Sequence, residues 1–575
     1  MRTMKYFKYI VFSLLFGASF ISCQEEEDLG SAPRLFRPVT TLEVRNNNII
    51  ATWDNIKGAT SYELTLYKST GKKAEDGTEL VEKYVETITV ASSPYTFEGI
   101  GWDEKYGLEI KSIGNNVESD IYKTSLMSVT YPTKLSETRT TDIAVLVAWR
   151  EGGNEITALS IVPDSGGEPI LQQITSGEYA SGKKVVDGLS PDKSYKVFAY
   201  SGEEQTVNTY EGRLSFKTKQ SENFDERYGE GNYLDLRSEN SKSILVSETI
   251  IEKMNNTEGL ALILKGGFEY ELDGSKSIFK NSITYVTGLS LEGNAIIVQS
   301  AAMRSDATTI AKIAFENIDF ISSDTKTTPV SEVTGSSTVW TKQVYNLNNA
   351  SSTVNELSFK NCRIEGYRAI VRLQNASDGV KKVLFDGCTI NGVGDQGVVT
   401  TNNVKSTMDE IEFKNSTITN VVLLADFRAS ANKPSLTISD CTFCYAPIEA
   451  TNNANNPLLR LLTNPVDLSV TNTIFGPSMA TATGENTANI LTYTAGTRGS
   501  VSLNASAVSV GVTNSFKTNF IWTSISNRTY PLEDLTSLTI DETGLFTDPA
   551  KGNFKIKYSS FEGAKTAGAL QWRME

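Results

Sequence analysis

An internal repeat restricts the fold of this 575-residue sequence more than any other feature. Residues 344–362 read VYNLNNASSTVNELSFKNC and residues 370–388 read IVRLQNASDGVKKVLFDGC, so the two align without a gap at an offset of 26. A shorter pattern recurs six times: an apolar residue, a turn residue two positions later, and a second apolar residue three positions after that. The turn residues are Asn317, Asn361, Gly387, Asn415, Asp440 and Asn472. Periods in the twenties, built from short strands and tight corners, predict a parallel β-helix.

The residue types at the corners predict two stacked columns. Asn, Asp and Gly tolerate the left-handed conformation of a sharp corner, and stacked Asn side chains can hydrogen-bond along the column. The next position is small or apolar in every copy, as an interior column requires. It holds Ile318, Cys362, Cys388, Ser416, Cys441 and Thr473.

We interpret these cysteines as free, buried packing residues. A disulfide between Cys362 and Cys388 is the alternative, since neighbouring coils lie about 5 Å apart, but parallel side chains would strain it. Cys441 and Cys444 lack the second Cys pair or the histidines of a zinc site, so no metal is expected.

The N-terminus has the features of a secreted lipoprotein. Basic residues precede an apolar run that is too short for a mature transmembrane helix, so residues 1–22 are predicted to be a signal peptide. Ser22 and Cys23 resemble a bacterial lipoprotein box, which implies lipidation of Cys23; an ordinary signal peptide with an incidental cysteine is the alternative. Residues 23–37 are predicted to form a lipidated acidic tether, whose acidic run at 25–28 resembles the export tag of Bacteroidetes surface lipoproteins. We therefore expect a lipid-anchored outer-membrane protein, exposed at the cell surface rather than facing the periplasm.

Composition removes several functional classes. The chain has 54 basic and 68 acidic residues and no histidine, for a net charge of −14. This acidic balance disfavours nucleic acid as a partner. Without histidine, no mechanism can use imidazole as a base or a metal ligand. No other segment approaches 18 consecutive apolar residues, so we expect membrane contact through the lipid anchor alone.

Two segments between the tether and the repeats resemble fibronectin type III domains. In residues 38–132, Trp53 precedes the turn GATSYEL, and Tyr106 occupies the place of the family's corner tyrosine. In residues 133–219, Trp149 is followed by LSPDKSYKV around Tyr195, which matches the pattern Leu-x-Pro-x-x-x-Tyr-x-Val. The resemblance implies two β-sandwiches with aromatic cores. We expect them to act as semi-rigid spacers.

Residues 220–575 resemble a pectin-lyase-like right-handed parallel β-helix. The segment SETIIEKMN predicts a short helix capped by Ser247, and a buried strand at 260–264 follows it. Such a helix resembles the N-terminal cap of these solenoids, which shields an open strand edge. The segments LFTDPA at 545–550 and GALQW at 568–572 resemble the closing segment of an uncharacterised family of Bacteroidetes surface lipoproteins from polysaccharide utilisation loci. The predicted fold class is therefore all-β.

Polysaccharide lyases and hydrolases that resemble this fold share a cluster of Asp residues in the active site. Lyases use such clusters to bind calcium, with an Arg or Lys as base, and hydrolases use two or three close Asp residues. The acids in the repeats of this chain are scattered among coils and turns. They are Asp378, Asp386, Asp395, Asp409, Asp426 and Asp440. No catalytic residue is therefore assigned and no cofactor is expected, although a lyase would require calcium.

A row of arginines is the candidate binding site. Aligning the third strand of each coil places one outward position at Asn346, Arg372, Thr400, Ala425 and Arg460. Arg368 and Arg428 lie close in sequence, and guanidinium groups match carboxylates bidentately. The row would then bind a uronate-containing glycan; a solvated face of local ion pairs is the alternative. Trp340 and Tyr345 are suited to stack on sugar rings, although Trp340 is equally suited to fold back as a lid over the coil.

These features predict a surface glycan-binding protein for acidic, pectin-like polysaccharide. The expected partners are a uronate-containing polysaccharide and an outer-membrane glycan transporter complex. The fold resemblance is an analogy and does not by itself establish function. A β-helix polysaccharide lyase or glycoside hydrolase is the first alternative, and a structural or adhesive surface protein is the second.

Cys23→Ala should abolish lipidation and leave an uncleaved or soluble protein, because the lipid is attached to this thiol. Replacing residues 25–28 with neutral residues should leave lipidation intact and lower exposure on the cell surface. Incorporation of labelled palmitate and protease shaving of intact cells measure the two effects. Equal shaving of the wild-type and neutralised proteins would contradict the export interpretation.

Overall fold

The protein's structure, a computed structural model, consists of two compact units. The residues that it describes are 34–45, 48–130, 134–152, 154–202, 204–206, 209–306, 309–330, 340–348, 352–374, 379–401, 406–427, 432–447, 458–460, 466–477, 501–502, 508–520, 532 and 534–575. The first unit contains the residues up to 135 together with 151–159 and 198–213, and the second contains 136–150, 160–197 and 214–575. The predicted signal peptide and Cys23 lie outside the described residues. No helix within these ranges is long and apolar enough to cross a membrane.

Alternating apolar residues fold the segment from 40 to 129 into an antiparallel sandwich. Its strands are β1 (Thr40–Arg45), β2 (Asn48–Trp53), β3 (Ser61–Lys73), β4 (Glu79–Val90), β5 (Tyr95–Phe97), β6 (Glu104–Gly114), β7 (Val117–Glu118), β8 (Tyr122–Lys123) and β9 (Met127–Val129). One sheet has the order β1-β2-β5, and the other has the order β4-β3-β6-β7, with β8 and β9 also paired to β6. On β2, Ile49, Ala51 and Trp53 point into the core, as the period of two requires.

The segment from 135 to 217 repeats this arrangement. Its elements are β10 (Leu135–Thr140), β11 (Ala144–Trp149), β12 (Ala158–Pro163), β13 (Ile170–Gln173), α1 (Ser176–Ala180), β14 (Lys183–Asp187), β15 (Ser194–Tyr200) and β16 (Tyr210–Lys217). The sheet orders are β10-β11-β14 and β13-β12-β15-β16. Three strands facing four is the fibronectin type III arrangement, which confirms the predicted sandwiches.

The predicted corner tyrosine, Tyr106, is present, and Tyr195 makes a similar bond in the second sandwich. Tyr106 is buried and its hydroxyl donates to the Gly101 carbonyl at 3.3 Å. The Tyr195 hydroxyl accepts from the Ser190 N–H at 2.9 Å. Each bond ties the start of a strand back to the preceding corner, which is the role of this residue in sandwiches of this type.

The repeats form a parallel solenoid. Its strands are β17 (Tyr233–Asp235), β18 (Leu260–Leu264), β19 (Glu269–Asp273), β20 (Ile278–Phe279), β21 (Ile283–Thr287), β22 (Ala295–Ala301), β23 (Arg304–Ser305), β24 (Thr309–Glu316), β25 (Ile318–Ser322), β26 (Gln343–Leu347), β27 (Thr353–Lys360), β28 (Arg363–Leu373), β29 (Gly379–Asp386), β30 (Thr389–Thr400), β31 (Thr407–Lys414), β32 (Thr417–Val421), β33 (Ala425–Asp426), β34 (Ser435–Ser439), β35 (Thr442–Cys444), β36 (Leu459–Arg460), β37 (Val466–Thr471), β38 (Ile474–Phe475), β39 (Val501–Ser502), β40 (Val508–Thr513), β41 (Phe516–Lys517) and β42 (Thr536–Ser537).

Two long parallel sheets enclose the core of the solenoid. Within the described residues, one sheet has ten strands in the order β17-β18-β21-β24-β27-β29-β31-β34-β37-β40. The other has fourteen, with the main path β19-β22-β25-β28-β30-β32-β35-β38-β41-β42 and a branch in which β26 pairs with β28 and β33 joins β30 to β36 and β39. Each strand pairs with its counterpart in the next coil, as a parallel β-helix requires.

The predicted stack of aromatic residues is confirmed. Phe359, Phe385 and Phe413 are fully buried and directly paired in the register of neighbouring strands. Their ring centroids are 5.1 and 4.9 Å apart, and both pairs of rings lie within 6° of parallel. Phe315 extends the stack, with its centroid 5.2 Å from that of Phe359.

The turn column is also confirmed. All six turn residues predicted from the sequence have positive φ angles, between 50° and 68° for Asn317, Asn361, Gly387, Asp440 and Asn472 and 48° for Asn415. Within the column, the Asn361 Nδ2 donates to the Asn317 Oδ1 at 3.2 Å, and the Asn472 Nδ2 donates to the Asp440 Oδ1 at 3.1 Å. The column therefore holds successive coils in register.

The residues after the corners form the predicted interior column. All six are buried. Cys362, Cys388, Cys441 and Cys444 are free thiols, so the packing interpretation is confirmed. Burial raises the pKa of the Cys362 and Cys441 thiols well above the usual range, and they should be unreactive while the solenoid is folded.

Helices cover the first coil. In addition to α2 (Phe224–Tyr228), the predicted cap is present as α3 (Glu248–Asn256), and the Ser247 hydroxyl accepts from the Ile250 N–H. Ile250 and Met254 on α3 pack into the solenoid core. This helix protects the start of the core from water, as the sequence predicts.

The end of the chain packs along the side of the last coils. It contains α4 (Glu542–Leu545), β43 (Phe546–Asp548) and β44 (Asn553–Ile556), which form a small core with Ile474 and Phe516. Farther on, the Trp572 Nε1 donates to the Thr417 Oγ1 at 2.7 Å, and Arg573 forms an ion pair with Asp440. The predicted closing segment thus joins several coils laterally.

Phe385→Ala should lower the unfolding free energy of the solenoid by about 3–5 kcal/mol, because it leaves a cavity in the middle of the stack. Phe36, whose exposed fraction is 81%, supplies the matched control Phe36→Ala, which should cost less than about 0.5 kcal/mol. Thiol labelling across a urea titration, in a Cys23→Ser background, reports on the solenoid because the other four cysteines lie inside it. A cost for Phe385→Ala equal to that of the control would contradict the stacked core.

Candidate functional site

Parallel pairing places one row of polar side chains on the second sheet. The observed register aligns Asn346 with Arg372, Arg372 with Thr400, Thr400 with Asp426, and Asp426 with Arg460. The sequence alignment placed Ala425 in this row, which is wrong by one residue. Ala425 packs in the apolar core, whereas the Asp426 carboxylate takes the position in line with Arg460. The prediction that the row points outward is wrong for Asn346, Thr400 and Asp426, which are buried.

Two of the predicted arginines are neutralised by carboxylates. Arg368 forms a bidentate pair with Asp395, with Nε and Nη2 at 2.8 and 3.1 Å from the two carboxylate oxygens. Hydrogen bonding to Asp395 raises the pKa of Arg368. Arg460 Nη1 lies 3.3 Å from Oδ2 of Asp426, which is fully buried. The predicted alternative, a face of local ion pairs, therefore describes these two residues.

The environment of Arg372 differs from those of Arg368 and Arg460. It is half-buried, and its Nε is buried without a hydrogen-bond partner among the described residues. Burial and the nearby positive charge of Arg368 lower its pKa, while Asp395 acts in the opposite direction. A partly desolvated guanidinium beside a second one is an unfavourable arrangement unless an anion approaches it.

A side-chain amide, that of Asn346, lies in register with Arg372. The Asn346 Nδ2 donates to the Gln374 Oε1 at 2.7 Å, and the Asn346 Oδ1 has no hydrogen-bond partner within the described part of the chain. In the adjacent positions, the Gln343 Nε2 donates to the Gln396 Oε1 at 3.0 Å. These amides offer both donors and acceptors, which suits the hydroxyl groups of a sugar.

The two aromatic candidates are buried. Trp340 is 1% exposed and lies over the coil next to Gly366 and Gly392, where a Cβ atom would fall 3.3 and 3.0 Å from its ring atoms. This position corresponds to the predicted lid. Tyr345 is fully buried, and its hydroxyl is 2.8 Å from that of Ser305. Neither ring is available to stack on a sugar in this conformation.

The remaining sequence candidates give no cluster of acids. Arg428 and Asp378 lie outside the described residues. Asp440 pairs with Arg573, as Asp395 and Asp426 pair with their arginines. Within the described ranges, no group of three or more Asp, Glu, Cys or His residues could hold a metal ion.

Sequence analysis missed the Arg368–Asp395 pair and the amide groups. Arg368 and Asp395 are 27 residues apart, which is about one coil, so the repeat offset could have identified them as neighbours. The pairing of Arg460 with Asp426 was hidden by the one-residue error in the alignment.

Comparisons with known proteins give similarities to solved structures. No protein-family model matches the sequence, and no curated protein matches it. Among solved structures, the chain is similar to a segment of two fibronectin type III domains from chicken tenascin, with 16% identity, 32% of this chain and 100% of that chain covered, and a TM-score of 0.15. The FN1–FN3 domains of chicken CNTN1 match with 13% identity, 33% and 69% coverage and a TM-score of 0.15. Chicken interferon gamma receptor alpha chain matches with 12% identity, 32% and 98% coverage and a TM-score of 0.15.

These TM-scores are too low to support any functional inference. What the topology itself shows is the class of protein: an all-β chain with two sandwiches and a parallel β-helix. Function has to be argued from the side chains of the site.

Proposed function

We propose that this protein is a lipid-anchored protein of the outer-membrane surface whose solenoid binds an acidic, pectin-like polysaccharide. The observation that carries the proposal is Arg372, a half-buried guanidinium whose Nε has no hydrogen-bond partner among the described residues. The sandwiches and the lipidated tether would hold the solenoid away from the membrane. An outer-membrane glycan transporter complex is the proposed partner.

A carboxylate is the ligand group that best matches Arg372. Its guanidinium presents parallel N–H donors that bind a carboxylate with two hydrogen bonds, and such charge-assisted bonds are about twice as strong as neutral ones. The Arg368 charge, although paired, lies close enough to lower the pKa of Arg372, so the local potential favours an anion. A neutral sugar would leave this charge uncompensated.

The partly exposed members of the row are spaced for a polymer. Neighbouring strands of a sheet lie about 4.8 Å apart, and the row from Asn346 to Arg460 crosses five coils in register. Asn346, Thr400 and Asp426 are buried, so a polysaccharide lying along the row would contact Arg372, Arg460 and the exposed amide of Gln374. Specificity would come from one carboxylate contact flanked by hydroxyl contacts.

A β-helix lyase is the second candidate function, and one observation favours it. Lyases on this fold use an arginine as base, and the pKa of Arg372 is lowered by burial and by Arg368. Calcium-dependent release of unsaturated products from a pectin panel would decide for the lyase. A structural or adhesive role is the third candidate, and failure on a broad glycan array would favour it.

Arg372→Ala should abolish retardation of the protein by polygalacturonate in affinity electrophoresis, because it removes the guanidinium whose Nε has no hydrogen-bond partner among the described residues. Arg372→Lys should bind weakly, since it keeps the charge and loses the two parallel donors. Wild-type binding should weaken markedly between 0.1 M and 1 M salt, where the screening length falls from about 10 Å to about 3 Å.

The matched control is Arg363→Ala, which removes the same charge from another strand position of the same sheet, where the side chain is 51% exposed and paired with Glu365. This variant should migrate as the wild type does. If polygalacturonate retards Arg372→Ala as strongly as the wild type, the row is not the binding site. The same conclusion follows if polygalacturonate and a neutral glucan retard the protein equally and neither variant loses this retardation.

A further inference from the structure

A cleft in the first unit is lined mainly by aromatic side chains. Its volume is about 380 Å³, within the range of small-ligand sites. The aromatic residues that line it are Tyr84, Trp102, Tyr106, Phe198, Tyr200 and Tyr210. None of them belongs to the arginine row, and a spacer role for the sandwiches does not require such a surface.

One wall of the cleft is formed by Tyr84, which packs on the buried ring of Tyr106. Tyr106 is fully buried, with its hydroxyl bonded to the Gly101 carbonyl. Tyr84 packs edge-to-face on it, with ring centroids 5.0 Å apart, and remains 41% exposed. Tyr84 therefore presents a ring to solvent in a position that the core defines, which lowers the entropy lost when a ligand binds.

The other wall is fixed by a hydrogen bond and by ring packing. The Tyr210 hydroxyl donates to the Asp103 Oδ2 at 3.0 Å. The ring centroids of Phe198 and Tyr200 lie 6.2 and 6.1 Å from that of Tyr210. Burial raises the pKa of Tyr210 and Tyr106, so both phenols are protonated at neutral pH.

The charges that line the cleft balance. Lys68 lies 3.1 Å from Glu104, and Arg213 lies 3.3 Å from Asp103. Two cations and two carboxylates in pairs give the lining no net charge. The cleft therefore lacks the uncompensated charge that an acidic or a basic ligand would need.

We infer that this cleft binds an uncharged carbohydrate chain by stacking sugar rings on Tyr84 and Trp102. The apolar face of a pyranose ring matches an aromatic face, and its hydroxyl groups are both donors and acceptors. The paired carboxylates Asp103 and Glu104 accept from hydroxyls, while Lys68 and Arg213 donate to them.

A proline-rich peptide fits the same lining less well. Polyproline segments also pack on aromatic grooves, but proline has no backbone N–H and offers carbonyl acceptors only. Such a peptide would offer no hydrogen-bond donor of its own to the carboxylates of Asp103 and Glu104. The chemistry of the lining thus favours the sugar.

This inference goes beyond the proposed function, because it concerns a different surface and a neutral rather than an acidic glycan. Affinity electrophoresis of the full chain in gels containing galactomannan, xyloglucan, amylopectin or mixed-linkage β-glucan tests it. We expect retardation by at least one of them, unchanged between 0.1 M and 1 M salt because no net charge is involved. Tyr84→Ala and Trp102→Ala should each weaken binding about tenfold, whereas Tyr84→Phe should retain it.

Tyr558→Ala is the matched control, because Tyr558 is also 41% exposed but does not line the cleft; it should bind as the wild type does. Arg372→Ala should keep full binding to the neutral polysaccharide, so failure of the acidic site and failure of this cleft are separable.

Three results would overturn the inference. The first is no retardation by any of the four neutral polysaccharides. The second is equal binding by Tyr84→Ala, Trp102→Ala and Tyr558→Ala, with unchanged thermal unfolding of all three. The third is binding of a proline dodecapeptide that Tyr84→Ala abolishes, without binding of any glycan.

Discussion

Backbone hydrogen bonds join each corner from Asn317 to Asn472 to the next coil. All six turn residues adopt a left-handed conformation. This conformation costs most side chains about 1–2 kcal/mol, and Asn or Asp reduces the cost through local hydrogen bonds. At Gly387 a Cβ atom would fall 2.3 Å from the Asn361 Oδ1, so a larger residue there would displace the Asn361 amide. The corner, the interior column and the aromatic stack recur once per coil. The packing of one coil therefore fits the packing of the next.

This register determines the chemistry of the outer face. Side chains one coil apart lie close together, and Arg368 reaches Asp395 where the register of β28 and β30 shifts between Tyr367 and Ala369. The same constraint puts Arg372 between Asn346 and Thr400, where the aligned positions hold no carboxylate. The lowered pKa of Arg372 thus follows from its burial within the row and from the nearby charge of Arg368. The lateral packing of Trp572 and Arg573 on the later coils adds further support to the same register.

The sequence predicted the features that depend on local periodicity, because corners, columns and alternating strands each repeat at short range. The column nevertheless continues to Asn514, with φ of 44°, which the pattern missed because Lys517 stands where an apolar residue was expected. The burial of Trp340 depends on how a long loop folds back over Gly366 and Gly392, and no local pattern encodes that. The aromatic cleft brings Tyr84 and Tyr210 together across more than a hundred residues, which composition and spacing do not reveal.

The account depends on Arg372 being held half-buried by the stacked coils and open to a carboxylate. A crystal structure of the protein soaked with an oligogalacturonate tests this most directly, because it reports both the register and the ligand contact. We predict Arg372 aligned between Asn346 and Thr400, with two uronate oxygens within about 3 Å of its guanidinium nitrogens. A different register of these strands, or a ligand bound elsewhere with Arg372 paired to a protein carboxylate, would contradict the account.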